Sequence, residues 1–165
     1  MRNSDHLRCL ILACGNPLRG DDGVGPWLAA WAAERYRAEP DVYVIARQQW
    51  GPELAEEIAH SKCVLFLDSS LQARPGAVET MEIEPAEGVV NWTHHLGAAE
   101  LLALSRGLYG SLPRRAVLLT VGMSSMAMGE ELSETVRAAI PEARAQIERF
   151  VLSQRAALAP CPLAQ

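Results

Sequence analysis

The apolar run Cys9-Leu10-Ile11-Leu12-Ala13 breaks into Gly15-Asn16-Pro17-Leu18-Arg19-Gly20-Asp21-Asp22-Gly23-Val24-Gly25, and this junction constrains the fold more than any other stretch. A short apolar run bounded by glycine-rich chain reads as a buried strand. Beyond it, Trp27, Leu28, Trp31, Ala32 and Tyr36 recur with helical spacing. Strand, loop and helix in that order open a parallel α/β unit, and such sheets take their ligands at loops leaving the carboxyl ends of strands. Glycine-rich loops there usually cradle phosphate on backbone N–H groups, but Asp21 and Asp22 would repel an anion. A carboxylate pair suits a cation, or the proton transfer of a hydrolytic reaction. One of the two has a simpler role open to it, as the cap of the following helix.

The alternation continues along the chain. Strands are expected at Arg8 to Ala13, Val42 to Ala46, Cys63 to Leu67, Ala77 to Ile83 and Ala116 to Val121. Helices are expected at Gly23 to Arg37, Pro52 to Ala59, about His94 to Ser105 with Thr93 as cap, and about Ser133 to Leu152, where Pro141 breaks or kinks the last. This order predicts a three-layer α/β sandwich, with an about five-stranded, mostly parallel, twisted sheet between helices. The 165 residues suit a single domain over 1–155, followed by a loosely ordered tail over 156–165.

A formal charge of −5 and scattered basic residues argue against a nucleic-acid partner. No apolar segment approaches the about 20 residues of a membrane span. Cys9, Cys14, Cys63 and Cys161 show no paired zinc-site spacing and read as small hydrophobes of a reducing compartment, which points to the cytoplasm. Trp27 and Trp31 read as core. Met123, Met126 and Met128 fall in a loop, either as a contact surface for a partner or as cover for the sheet edge.

Three polar features fall at predicted strand exits or beside them. Asp22 follows the first strand, Asp68 closes the third, and His94-His95 begins the helix after the fourth. Taken alone, Asp68 starts a turn or caps a helix and the histidines are solvated residues of a first helical turn. Taken together at one sheet edge, two carboxylates and an imidazole make a partial shell for Ni²⁺, Zn²⁺ or Mn²⁺ that can polarise a carbonyl or activate water. Ser69, Ser70, Ser124 and Ser125 lack the Gly-x-Ser-x-Gly elbow, which argues against a serine hydrolase.

The loop Gly15 to Gly25, the strand ending at Asp68 with Pro75-Gly76 beyond it, His94-His95-Leu96-Gly97, and Val121-Gly122-Met123 leading to Gly129-Glu130-Glu131-Leu132-Ser133 occur in a fixed order. In these motifs, from Leu10 to about Phe150, the chain resembles the hydrogenase maturation endopeptidases, which trim the carboxyl-terminal extension of the large subunit of nickel–iron hydrogenases. The resemblance implies a metal-binding trio of Asp22, Asp68 and His94, with Asp22 or Asp68 as general base and Asp21 left to loop geometry or capping. It implies a hydrogenase large-subunit precursor as partner and nickel carried by that substrate, a resident divalent metal being the competing account. A non-proteolytic assembly factor docking on a metalloenzyme subunit is the alternative function.

The chain departs from the family pattern in two places. Ala13 stands where the first glycine of a Gly-x-Gly-Asn turn is usual. Arg47-Gln48-Gln49-Trp50-Gly51-Pro52-Glu53-Leu54 replaces the usual Asp-Gly-Gly-Thr-like loop. An exposed Trp50 in that loop is expected to serve peptide docking.

Overall fold

A computed structural model describes residues 9–88, 96–129 and 131–158. Five strands form one sheet: β1 Cys9–Cys14, β2 Val42–Arg47, β3 Cys63–Ser70, β4 Val78–Glu82 and β5 Arg115–Gly122. Their spatial order is β2-β1-β3-β5-β4. All neighbours are parallel except β4, which runs antiparallel along the edge against β5. The helices are α1 Val24–Arg35, α2 Ala55–Ala59, α3 Ala98–Tyr109 and α4 Glu134–Leu158. The expected mostly parallel, five-stranded α/β architecture is therefore what the chain adopts.

Side chains alternate across a strand, and the central strands use both faces. Cys9, Ile11 and Ala13 of β1, with Cys63, Leu65 and Leu67 of β3, pack under α1 and α4. Leu10 and Leu12, with Val64 and Phe66, pack under α2 and α3. Burial on both faces is why these runs are continuously apolar. The chain leaves β1 toward β2, then returns past β1 to β3. That reversal puts a crevice at the carboxyl ends of β1 and β3.

Several boundaries differ from expectation. The first loop contains a 3-10 turn over Gly20–Gly23 before α1 begins. Leu96 and Gly97 are not helical, so α3 starts at Ala98 rather than near His94; Thr93, His94 and His95 lie outside the described residues. Pro141 neither ends nor divides α4. Its ring is exposed while Ile140 and Ala143 on either side are buried, so packing holds the helix through the one lost backbone bond. The helix also runs on to Leu158, past Leu152 and into the expected tail. Arg155 explains the extension: its guanidinium grips both carboxylate oxygens of Asp41 at 3.2 and 2.8 Å and Glu39 at 2.8 Å, just before β2. No helix among the described residues is long and apolar enough to cross a membrane.

Two contacts fix the loops at the carboxyl edge. Gly25, in the first turn of α1, lies so close to the carbonyl oxygens of Cys14 and Leu67 that a Cβ would collide with the first and stand 3.1 Å from the second. The start of α1 thus rests on the last residue of β1 and on Leu67 of β3. Asp21 is fully buried and accepts four hydrogen bonds. Three come from the backbone N–H groups of Ser124 (2.9 Å), Ser125 (2.8 Å) and Ser133 (2.7 Å), and one from the Ser133 hydroxyl (2.9 Å). Ser133 Oγ in turn accepts from the N–H of Val136, capping α4. Burial opposes ionisation of Asp21, but these donors outweigh it and hold its carboxyl below the usual carboxylate range.

Alanine normally favours a helix by about 1 kcal/mol over glycine, yet Gly25→Ala should destabilise the chain by about 2 kcal/mol or more through the carbonyl clash, as read from denaturant midpoints. Asp21→Ala leaves the buried donors of Ser124, Ser125 and Ser133 unpartnered and should cost about 3 kcal/mol. The contribution of Asp21, whose folded pKa is depressed, should be complete above about pH 4 and disappear as pH falls through that lowered value. Unfolding curves of wild type and Asp21→Ala that converge in acid would show this.

Candidate active site

The crevice between β1 and β3 is where the two predicted carboxylates meet. Asp22 follows β1 through the glycine-rich loop and is half-buried. Its Oδ2 accepts from the backbone N–H of Asn16 at 2.9 Å, so the loop folds back on its own acid. Its Oδ1 accepts from the hydroxyl of Ser69 on β3 at 3.0 Å. Asp68 stands next to that serine and accepts the backbone N–H of Ser69 at 2.8 Å. Ser69 therefore joins the two acids, one through its side chain and one through its main chain. It had stood among the candidate nucleophiles; here its hydroxyl is a donor that orients Asp22.

The sheet parity brings a third group into contact. Cys14 at the end of β1 and Asp68 near the end of β3 fall on the α2/α3 side, where Cys14 packs partly buried. The Cys14 thiol hydrogen-bonds to Asp68. Burial pushes the Asp68 carboxyl above its ordinary range, the Cys14 thiol and the Ser69 N–H pull it back, and the charge of Asp22 raises it again. Burial, Asp68 and Asp22 all push the Cys14 thiol upward, so at neutral pH it stays protonated and is no nucleophile. The contact with Asp68 depends on the parallel register that pairs Ala13 with Leu67, which the sequence alone does not fix.

The arrangement presents two carboxylates whose bonded partners use only part of their lone pairs. That donor set suits a cation or a water to be deprotonated. Among the described residues, no three His, Cys, Asp or Glu side chains are grouped to hold a metal ion. His94, the third predicted member, lies outside the described residues. Leu96, two positions further on, packs against the same apolar layer as Cys14.

Two expectations about the surroundings fail. Trp50 is 7% exposed, not a docking residue at the surface. It packs edge-on against Phe66 with ring centroids 5.2 Å apart, so the variant loop is anchored by its aromatic ring rather than displaying it. Trp27 is not core: it is 41% exposed on α1, while Trp31 is half-buried. The Arg144 guanidinium lies over both rings, 4.9 and 5.1 Å from their centroids.

The sequence pattern of the hydrogenase maturation protease family matches residues 28–150, which include Asp68. No curated protein matches the chain. Among solved structures, the hydrogenase maturating endopeptidase HybD from E. coli superposes with a TM-score of 0.72 at 23% identity, covering 89% of this chain and 93% of that one. The [NiFe] hydrogenase maturation protease HybD from Thermococcus kodakarensis gives 0.64 at 24% identity, covering 87% and 99%. A hydrogenase 2 maturation peptidase from a Thaumarchaeota archaeon gives 0.61 at 25% identity, covering 87% and 97%. The structural likeness is one of fold; the family pattern, spanning most of the chain, decides between an endopeptidase and a non-cleaving binding module. With its paired carboxylates at the β1/β3 crevice, this chain belongs to the hydrogenase maturation protease family.

Proposed function

We propose that the chain removes the carboxyl-terminal extension of a hydrogenase large-subunit precursor, in the cytoplasm, and recognises nickel already inserted in that substrate. Asp22, Asp68 and His94 complete the coordination of the substrate-borne metal, which holds the scissile peptide at the sheet edge. Water adds to the scissile carbonyl while Asp22 or Asp68 takes its proton. That proton then passes to the departing amine as the C–N bond breaks. The observation that carries this reading is the Ser69 link, which fixes the carboxylate of the first loop and that of β3 at one edge.

The residue chemistry supports a metal arriving with the substrate. Two carboxylates and an imidazole fill only part of the coordination sphere of nickel, leaving positions for ligands that the precursor contributes. The raised pKa of Asp68 supports its use as a base, since proton transfer is most effective when the acceptor titrates nearer the working pH.

Incubation of the purified chain with nickel-loaded precursor should release a short carboxyl-terminal peptide, seen as a loss of intact mass from the large subunit. A stable complex with no change in mass would overturn the proposal. Asp22→Asn keeps the shape and removes the charge; cleavage should fall by about 100-fold or more while the melting temperature stays close to wild type. His94→Ala should weaken binding of the nickel-loaded precursor more than His95→Ala, and the reverse order would remove His94 from the trio.

A further inference from the structure

Beside the crevice, two loops are laced together and display apolar side chains to solvent. The first loop and the segment after β5 share backbone bonds from Gly20 N–H to Gly129 (2.8 Å), from Gly129 N–H to Leu18 (3.0 Å) and from Asp21 N–H to Ser125 (3.1 Å). The buried Asp21 carboxylate adds its four bonds across the same seam. Gly20, at φ +56°, brings its Cα against the second loop; a Cβ there would stand 3.1 Å from the Ala127 carbonyl oxygen. On this fixed seam Leu18 is 51% exposed, Met126 39% and Met128 85%.

The apolar surface continues around the first loop. A hollow of about 180 Å³ opens among Pro17, Gly23, Pro26, Trp27 and Leu132. Pro17 adjoins Leu18 in sequence and Gly23 adjoins Asp22. Arg144, stacked on Trp27, holds that wall of the hollow in place. Apolar groups held at the surface by a dense network of hydrogen bonds gain nothing for the free protein. They are what a binding face requires, with methionine able to mould itself to a partner.

We propose that this face, Leu18, Met126 and Met128 together with the hollow beside Trp27, docks an apolar surface segment of the precursor protein and seats one of its aliphatic side chains in the hollow. The inference rests on the protease reading and adds where its macromolecular substrate is held. Three observations favour that occupant. The seam is continuous with the turn that carries Asp22, so whatever binds it is presented to the carboxylates. The volume matches a side chain rather than a cofactor. The chain carries a net charge of −5, which disfavours an anionic membrane surface as the alternative.

The test measures cleavage of nickel-loaded precursor and, separately, its binding to chains carrying Asp22→Asn. Leu18→Asp with Met128→Asp should raise KM, and the dissociation constant in the Asp22→Asn background, by about tenfold or more, with kcat and melting temperature near wild type. Trp27→Ala, which opens the hollow without adding charge, should act in the same direction. Leu108→Asp is the control: Leu108 is 62% exposed near the end of α3, where Tyr109 meets His60 just ahead of β3, and it should change neither constant. Unaltered binding by the Leu18/Met128 pair would overturn the docking face. So would a wild-type dimer in sedimentation that the same pair dissociates, since a second copy would then be the occupant. Absence of cleavage by wild type would overturn the protease reading instead, and the binding arm would still decide the face.

Discussion

A buried carboxylate governs the arrangement of the whole carboxyl edge. Asp21 belongs to the first loop, yet its partners are the loop after β5 and the first residue before α4. Removing an ion from water is expensive, and only a full set of aimed donors makes the position favourable. Once formed, that set determines where the neighbouring Asp22 can be. One turn therefore separates its two acids into different tasks: the first faces inward and ties loops distant in sequence, and the second faces the crevice and reaches Ser69 on β3.

Much of this was legible in the sequence because it rests on local patterning. The continuous apolar runs at Cys9 and Cys63 announce strands buried on both sides, and strand–helix alternation fixes a parallel sheet with its loops at one edge. The placement of Asp22 beyond β1 and of Asp68 toward the end of the third strand followed from that geometry, although β3 runs on through Asp68 to Ser70 because it keeps pairing with β5. What escaped the sequence depends on partners far along the chain. The extension of α4 to Leu158 depends on Arg155 meeting Asp41, a separation of 114 residues. The seat of Asp21 depends on Ser124, Ser125 and Ser133, more than 100 residues away. No periodicity carries such information.

The two tryptophans misread from sequence make the same point. Aromatic spacing on α1 suggests a core stripe, but Trp27 turns partly to solvent and finds the cation of Arg144 instead. Trp50, in a loop of polar residues, is drawn inward because Phe66 of the central strand offers an edge-to-face partner. Burial of that ring leaves Arg47, Gln48, Gln49, Pro52 and Glu53 as the exposed members of the variant loop. What that loop offers to a partner is therefore polar and charged side chains rather than an aromatic anchor.

The close seat of Gly25 has an electrostatic consequence. Because α1 begins against Cys14 of β1 and Leu67 of β3, the partial positive pole of its aligned peptide dipoles lies next to Asp22, in the turn just ahead of the helix. Two neighbouring negative charges would otherwise repel each other whenever no cation is near. The helix end offsets part of that repulsion with fixed backbone dipoles, which act on the pair together with the Ser69 link.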